Sequence, residues 1–259
     1  MSARTGQWET RLGLGVRREF NRYWSIKRQT ILTPILETYL YISVFGAALG
    51  SRVGNLEGFD YIVFILPGLV MMSFALNAFE NNASSLFQQR FMRAIDDQLA
   101  SPLHNLELLG AYALGGLGRG AIIGGTVLLT ASFLVDLPIA DPLLLVWCFF
   151  AIGGFFALFG VLMGVIADTF DQISLYRSFI LQPLIFIGGV FYSTSLLPEP
   201  FQTASQFNPV FYMINAVRHG FLGTSDVDPY LSLGIVSAGV VVLFGIVYWI
   251  FKTGYKLRF

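Results

Sequence analysis

The chain has 259 residues, 55% of them hydrophobic and only 12% charged, with a mean hydropathy of +0.66. Soluble domains carry about 25% charged residues, so half the usual charge is missing and the composition marks an integral membrane protein. The net charge is zero and gives no basis for a nucleic-acid partner, while one cysteine, Cys148, and two distant histidines exclude an internal disulfide and leave no zinc or haem ligand set.

The first thirty residues hold seven basic side chains, Arg4, Arg11, Arg17, Arg18, Arg22, Lys27 and Arg28. Trp8, Leu12, Val16, Phe20 and Trp24 recur between them at four-residue spacing, which predicts an amphipathic helix lying in the lipid headgroups. Gly13 and Gly15 weaken that helix. The stretch lacks the apolar core and small-residue cleavage site of a signal peptide.

Six apolar stretches follow, at 31–50, 59–79, 106–135, 143–167, 175–197 and 231–251, and predict an all-α membrane protein of six spans. The first thirty residues, the bundle over 31–251 and the tail over 252–259 form one transmembrane domain. Placing the N-terminus inside puts 13 of the 16 Lys/Arg residues on the cytoplasmic side, so both termini are expected there. External connections are then short, and no internal repeat suggests an inverted-repeat transporter. Gly116, Gly120 and Gly124, and Gly160 with Gly164, are spaced for close helix approach within one copy of the chain.

Three charges fall inside apolar stretches, where each costs about 2.5–3.5 kcal/mol or more: Glu37 in the first, Glu80 at the end of the second and Arg119 in the third. Either acid could answer Arg119. A structural ion pair and a proton or substrate relay both fit. The first and fifth stretches also carry Tyr39, Tyr41 and Phe45, then Tyr176, Phe179, Phe186, Phe191 and Tyr192.

Between the second and third spans, residues 84–107 read as one helix ended by Ser101-Pro102. Phe87, Phe91, Ile95 and Leu99 form an apolar stripe, flanked by Arg90, Arg93, Asp96 and Asp97. Periodicity alone allows either a helix lying along the membrane or one docked to a partner. Further on, the fifth span runs into Pro198 and Pro200, turns polar, and returns as a short apolar piece opened by Asn208 and Pro209 and carrying Arg218. Its length, about 13 residues, is too little to cross a bilayer and predicts a re-entrant segment rather than a surface helix.

Phe186, Gly188, Gly189, Phe191, Leu197, Pro198, Asn208, Pro209, Tyr212 and Arg218 together resemble the signature of ABC-2 type permeases, the membrane subunits of one class of ATP-driven bacterial exporters. Many members have proline shortly after the counterpart of Phe191, where Tyr192 and Ser193 stand here. The stretch from Arg90 to Leu103 is similar to that family's coupling helix. The resemblance covers nearly the whole chain. It implies an interfacial N-terminal helix, docking of the Phe87–Leu99 segment on an ATPase, and a path lined by the first and fifth spans. Tyr39, Tyr41, Phe45, Phe179 and Phe186 are its candidate lining. It also implies a homodimer working with two ATPase copies in the bacterial inner membrane.

No lysine here follows a glycine as a phosphate-binding loop requires, so ATP and magnesium belong on a separate chain and this one is expected to carry no cofactor, metal or catalytic residue. The expected cargo is an amphiphilic, drug-like or lipid-linked glycan substrate moved outward by alternating access. A second reading is an ion-coupled transporter using Glu37 and Arg119. A membrane enzyme finds no paired-acid, histidine or cysteine centre.

Overall fold

The computed structural model describes residues 2–25, 27–100 and 104–257, with side chains for all of these except 2–11, 27–30, 47–49 and 51. The side chains of Arg4, Trp8, Arg11, Lys27 and Arg28, the Ser101-Pro102 stop with Leu103, and Arg258 lie outside the described residues.

The described chain is almost entirely helical. Helix α1 (Ser2–Trp24) leads to α2 (Lys27–Tyr41), which runs into a π-helical segment, Ile42–Leu49, and a last turn, α3 (Gly50–Val53). Strands β1 (Asn55–Leu56) and β2 (Phe59–Asp60) form a hairpin. Its two turn residues, Glu57 and Gly58, both have positive φ, 52° and 87°, as a twisted two-residue hairpin loop requires. Helix α4 (Tyr61–Phe91) and a short α5 (Ala94–Ala100) precede α6 (Asn105–Ser132) and α7 (Pro142–Ile166). The next piece is composite: α8 (Phe170–Leu175), a π-helical Tyr176–Leu181 and α9 (Gln182–Ile187). A 3-10 turn at Thr194–Leu196, then α10 (Glu199–Gln206), α11 (Pro209–Leu222) and α12 (Pro229–Thr253), complete the chain.

Four helices, α4, α6, α7 and α12, are long and apolar enough to cross a membrane. The expected first and fifth spans are the two composite pieces over 27–53 and 170–187, each interrupted by wide π turns. In the apolar window of α4, 72% of residues are buried, against 22% for α12, so α4 is the central post and α12 a rim helix. An apolar helix enclosed on all sides belongs in the interior of a bundle.

Glycine decides how closely the post is held. A Cβ at Gly116 would sit 3.0 Å from the Ala78 carbonyl and one at Gly120 2.9 Å from that of Phe74. A Cβ at Gly164 would lie 2.8 Å from the Ala83 carbonyl, and one at Gly160 would run into that of Phe79. These glycines pack α6 and α7 onto α4 within one copy of the chain. Gly15 does not weaken α1 to a loop; a Cβ there would meet Ala111 at 2.7 Å, so glycine lets α1 lie against α6.

The structure differs from the sequence reading at two junctions. The Phe87–Leu99 segment is not one helix. The second span continues unbroken to Phe91, then breaks where Arg93 adopts a left-handed φ of 57°. Arg90, just before the break, is buried and donates to the Gly164 and Ala167 carbonyls, both at 2.9 Å, capping the end of α7. The fifth span ends at Ile187 rather than near 197, because Gly189, with φ 93°, turns the chain away.

Gly160→Ala should lower stability by about 1–3 kcal/mol or more, since a backbone carbonyl cannot yield to the new methyl. Gly125, with open space around its would-be Cβ, is the control, and Gly125→Ala should be neutral or stabilising by up to about 1 kcal/mol. Thermal unfolding of the detergent-purified proteins compares the two.

Candidate functional site

Three neighbouring residues on α4 set out the polar part of the bundle. Successive helical positions point about 100° apart, so Glu80, Asn81 and Asn82 face three different partners. Glu80 pairs with Arg177 at 2.5 Å and lies 3.9 Å from Arg119. Of the two acids open to Arg119, the structure therefore supplies Glu80. Asn82 donates to the Ala157 carbonyl on α7 at 2.9 Å.

Asn81 faces α1 and joins a network that sequence reasoning missed. Glu19 has no solvent exposure. Its carboxylate accepts from Arg18 at 2.9 Å, Ser85 at 2.8 Å and Asn81 at 3.4 Å, with the Arg22 guanidinium 3.4 Å away. Arg22 also donates to the Asn81 carbonyl and side chain at 2.5 and 2.7 Å. Arg18 lies over the Tyr112 ring, 5.4 Å from its centroid. Of the apolar stripe read in the sequence, Phe20 and Trp24 are exposed and Leu12 and Val16 half-buried, Leu12 beside Gly110 of α6, while Gly15, Glu19 and Tyr23 one face round press on α6. An acid at four-residue spacing from a glycine and a tyrosine, among basic residues, was the available signal.

Beside Arg177 lies a cavity of about 370 Å³ between the two composite helices. Glu37, Tyr41 and Phe45 line it from one, Arg177, Gln182 and Phe186 from the other, with Asn77 of α4 between. Glu37 and Arg177 stand about two turns nearer the α1 end than Phe45 and Phe186, so the cavity is charged at one end and apolar, largely aromatic, at the other. Phe191 closes the aromatic end, with its ring 4.9 Å from Phe45 and 5.6 Å from Phe186. Of the aromatics proposed as lining, Tyr41, Phe45 and Phe186 face this space; Tyr39 and Phe179 are exposed on the outside of the chain.

At the hairpin end, the turn after α9 is knotted to α11. Asn208 caps α11 by accepting from the Val210 amide at 3.0 Å and donates to the Leu184 carbonyl at 2.6 Å. Pro209 takes the first helical position, where its missing N–H costs nothing. Four other helices, α4, α7, α9 and α12, enclose α11. Arg218, 1% exposed, donates to the Gly189 carbonyl at 2.6 Å and lies 4.0 Å from the Phe64 ring centroid. Asp226, unnoticed in the sequence, sits 3.9 Å from Arg218 and accepts from Ser193 at 2.5 Å and from the Thr194 hydroxyl and amide at 2.6 and 3.0 Å. Its own amide donates to Asn215 at 2.8 Å. Gly188 packs against Ile214, Tyr212 donates to the Gln206 carbonyl, and Pro198 opens α10.

The α4–α5 elbow sorts the remaining expected residues. Phe87, Arg90 and Ile95 are buried and Leu99 and Asp96 half-buried. Phe91, Met92, Arg93 and Asp97 are the exposed set, the first two at 65% and 67%.

Glu19→Ala should cost about 3 kcal/mol, because it strands buried donors that it now satisfies. Glu37→Ala, on an exposed face, should leave thermal unfolding nearly unchanged. Asp226 gives a pH dependence. Burial alone would raise its pKa, but hydrogen bonds from Ser193 and Thr194, with the Arg218 charge, outweigh burial and hold it below the ordinary carboxyl value. A carboxyl so depressed contributes stability that is complete above the ordinary carboxyl range and lost as pH falls toward its folded value. Unfolding midpoints of wild type and Asp226→Asn should therefore converge as pH drops below about 4.

Residues 10–222 match the family described as ABC-2 type transporter. The chain is 39% identical over 246 residues to the inner membrane transport permease YadH of Escherichia coli K12, covering 93% of this chain and 94% of that protein. It is 26% identical over 239 residues to nodulation protein J of Rhizobium leguminosarum bv. trifolii, covering 88% and 87%.

Proposed function

This chain belongs to the ABC-2 type transporter family, and from that premise we propose that it is the membrane permease subunit of an ATP-driven exporter. The observation that carries the reading is the cavity between the two composite helices, polar at one end and aromatic at the other. These helices are the first and fifth crossings, so six spans hold the site, with α1 on the cytoplasmic surface and both termini inside. The name of the similar permease supports the bacterial inner membrane as its place.

Helix α11, with 14 residues, spans about 21 Å, short of the roughly 30 Å of a hydrocarbon core. It is re-entrant from the outside, and the Arg218–Asp226 knot closes the outer end of the path. A buried charge must meet an acid, a carbonyl or water, and Arg218 has the Gly189 carbonyl and Asp226. A second copy of this chain completes the path, and two copies of a separate ATPase, holding ATP and magnesium, drive it.

The exposed elbow, Phe91, Met92, Arg93 and Asp97, is where the ATPase docks. Its motion enters α4 directly, because α4 is a single helix from elbow to hairpin. Arg90 belongs to the mechanism only by fastening the elbow to the end of α7.

A P-loop ATPase purified with this chain should be stimulated by it, and a cysteine at Arg93, exposed on the same elbow, should crosslink to it. Met92→Glu with Asp97→Arg should abolish both while leaving the chain folded. Normal stimulation by that double variant would remove the elbow from the drive path. Absence of stimulation by the wild-type chain, with its ATPase bound, would remove the exporter.

A further inference from the structure

The charges around the cavity sort its ligands. Two guanidiniums, Arg177 and Arg119, share the single carboxylate of Glu80, at 2.5 and 3.9 Å. The trio carries one net positive charge, and Arg177 is its member at the cavity wall. Glu37, on the other composite helix, presents one negative charge at the same end. Asn77 and Gln182 add neutral amides that can donate or accept. The far end is mainly apolar, with Tyr41, Phe45 and Phe186 beside Val44, Met72 and Ile123, the Ser73 hydroxyl among them and Phe191 stacked against Phe45.

A ligand of single charge entering at membrane depth would pair with one wall and leave the other uncompensated, which is costly in this medium. A neutral ligand would satisfy neither. We propose that the cavity takes an amphiphile with a dipolar head, its cationic group at Glu37, its anionic group at Arg177, and its apolar chain against the aromatic end. This deepens the transport reading and rests on it for the cavity's role, though not for its chemistry. The same head group occurs on zwitterionic bilayer lipids and on free amphiphiles; both sources present one chemistry to the site.

The test uses the whole chain without its ATPase, in phosphatidylglycerol nanodiscs, with Cys148→Ser and a reporter cysteine at Val44, which lines the cavity and is 53% exposed. Labelling of the reporter by a maleimide is slowed by whatever fills the site. Dodecylphosphocholine should protect at a concentration about tenfold lower than dodecyltrimethylammonium or dodecyl phosphate, the measure of one unpaired charge. Glu37→Gln, at an exposed position, should transfer the preference to dodecyl phosphate, since the net positive charge of the Arg177–Glu80–Arg119 trio remains. Equal protection by all three probes, or an unchanged ranking in Glu37→Gln, would overturn the proposal. So would full protection in phosphatidylglycerol discs before any probe is added, because an anionic lipid would then be the occupant. Protection in phosphatidylcholine discs without probe identifies the bilayer lipid as one source, and its absence there identifies a free amphiphile; the dipolar ranking holds in either case. A chain with this ranking that fails to stimulate a bound ATPase would fail as an exporter and keep the site.

Discussion

A polar side chain in the middle of a buried apolar helix must find a partner on another helix or destabilise the fold. Glu80, Asn81 and Asn82 place three such groups in succession on the most enclosed helix. Helical rotation sends them to Arg177 and Arg119, to α1, and to the Ala157 carbonyl of α7. Hydrophobic contact alone would let neighbouring helices slide on α4. These three positions fix the register of the composite helix over 170–187, the N-terminal helix and α7 against a single post.

The same arrangement gives α1 a role that amphipathicity does not require. A helix held only by headgroups drifts with the lipid surface. Glu19, fully buried and satisfied by Ser85, Asn81 and two arginines, makes α1 part of the protein. Its partner Asn81 is the residue next to Glu80, whose carboxylate orders Arg177. The composite helix over 170–187 and α1 are thus tied to adjacent residues of α4, which brings the cavity at Arg177 close to the attachment of α1.

Hydropathy made the long helices legible, and the glycine spacings in α6 and α7 correctly foretold their approach to α4. Asn208, Pro209 and the short apolar run behind them located α11, and the one arginine in that run proved to be buried against the turn at Gly189. What stayed hidden was hidden for physical reasons. Glu19 stands in a basic tail, where a carboxylate looks solvated; only the partner helix reveals that its face is buried. The polar run at 80–85 resembles the end of a span, yet α4 continues through it because Glu80, Asn81, Asn82 and Ser85 are each met. Arg90 looked like a docking residue because hydropathy cannot distinguish an arginine in water from one capping another helix. The π segments left no trace, since they change hydrogen-bond register and not polarity.

Those π segments bear on how the cavity can change. Ile42–Leu49 and Tyr176–Leu181 lie in the two helices that form its walls, and each is wound more widely than the α-helix beside it. Winding and facing are linked: tightening a π turn rotates everything beyond it about the helix axis. Glu37 and Phe45 sit on opposite sides of the point where the first helix changes its winding. One residue of register gained or lost there turns one of them about 100° relative to the other. The winding of the two walls therefore sets which of their side chains face the cavity together.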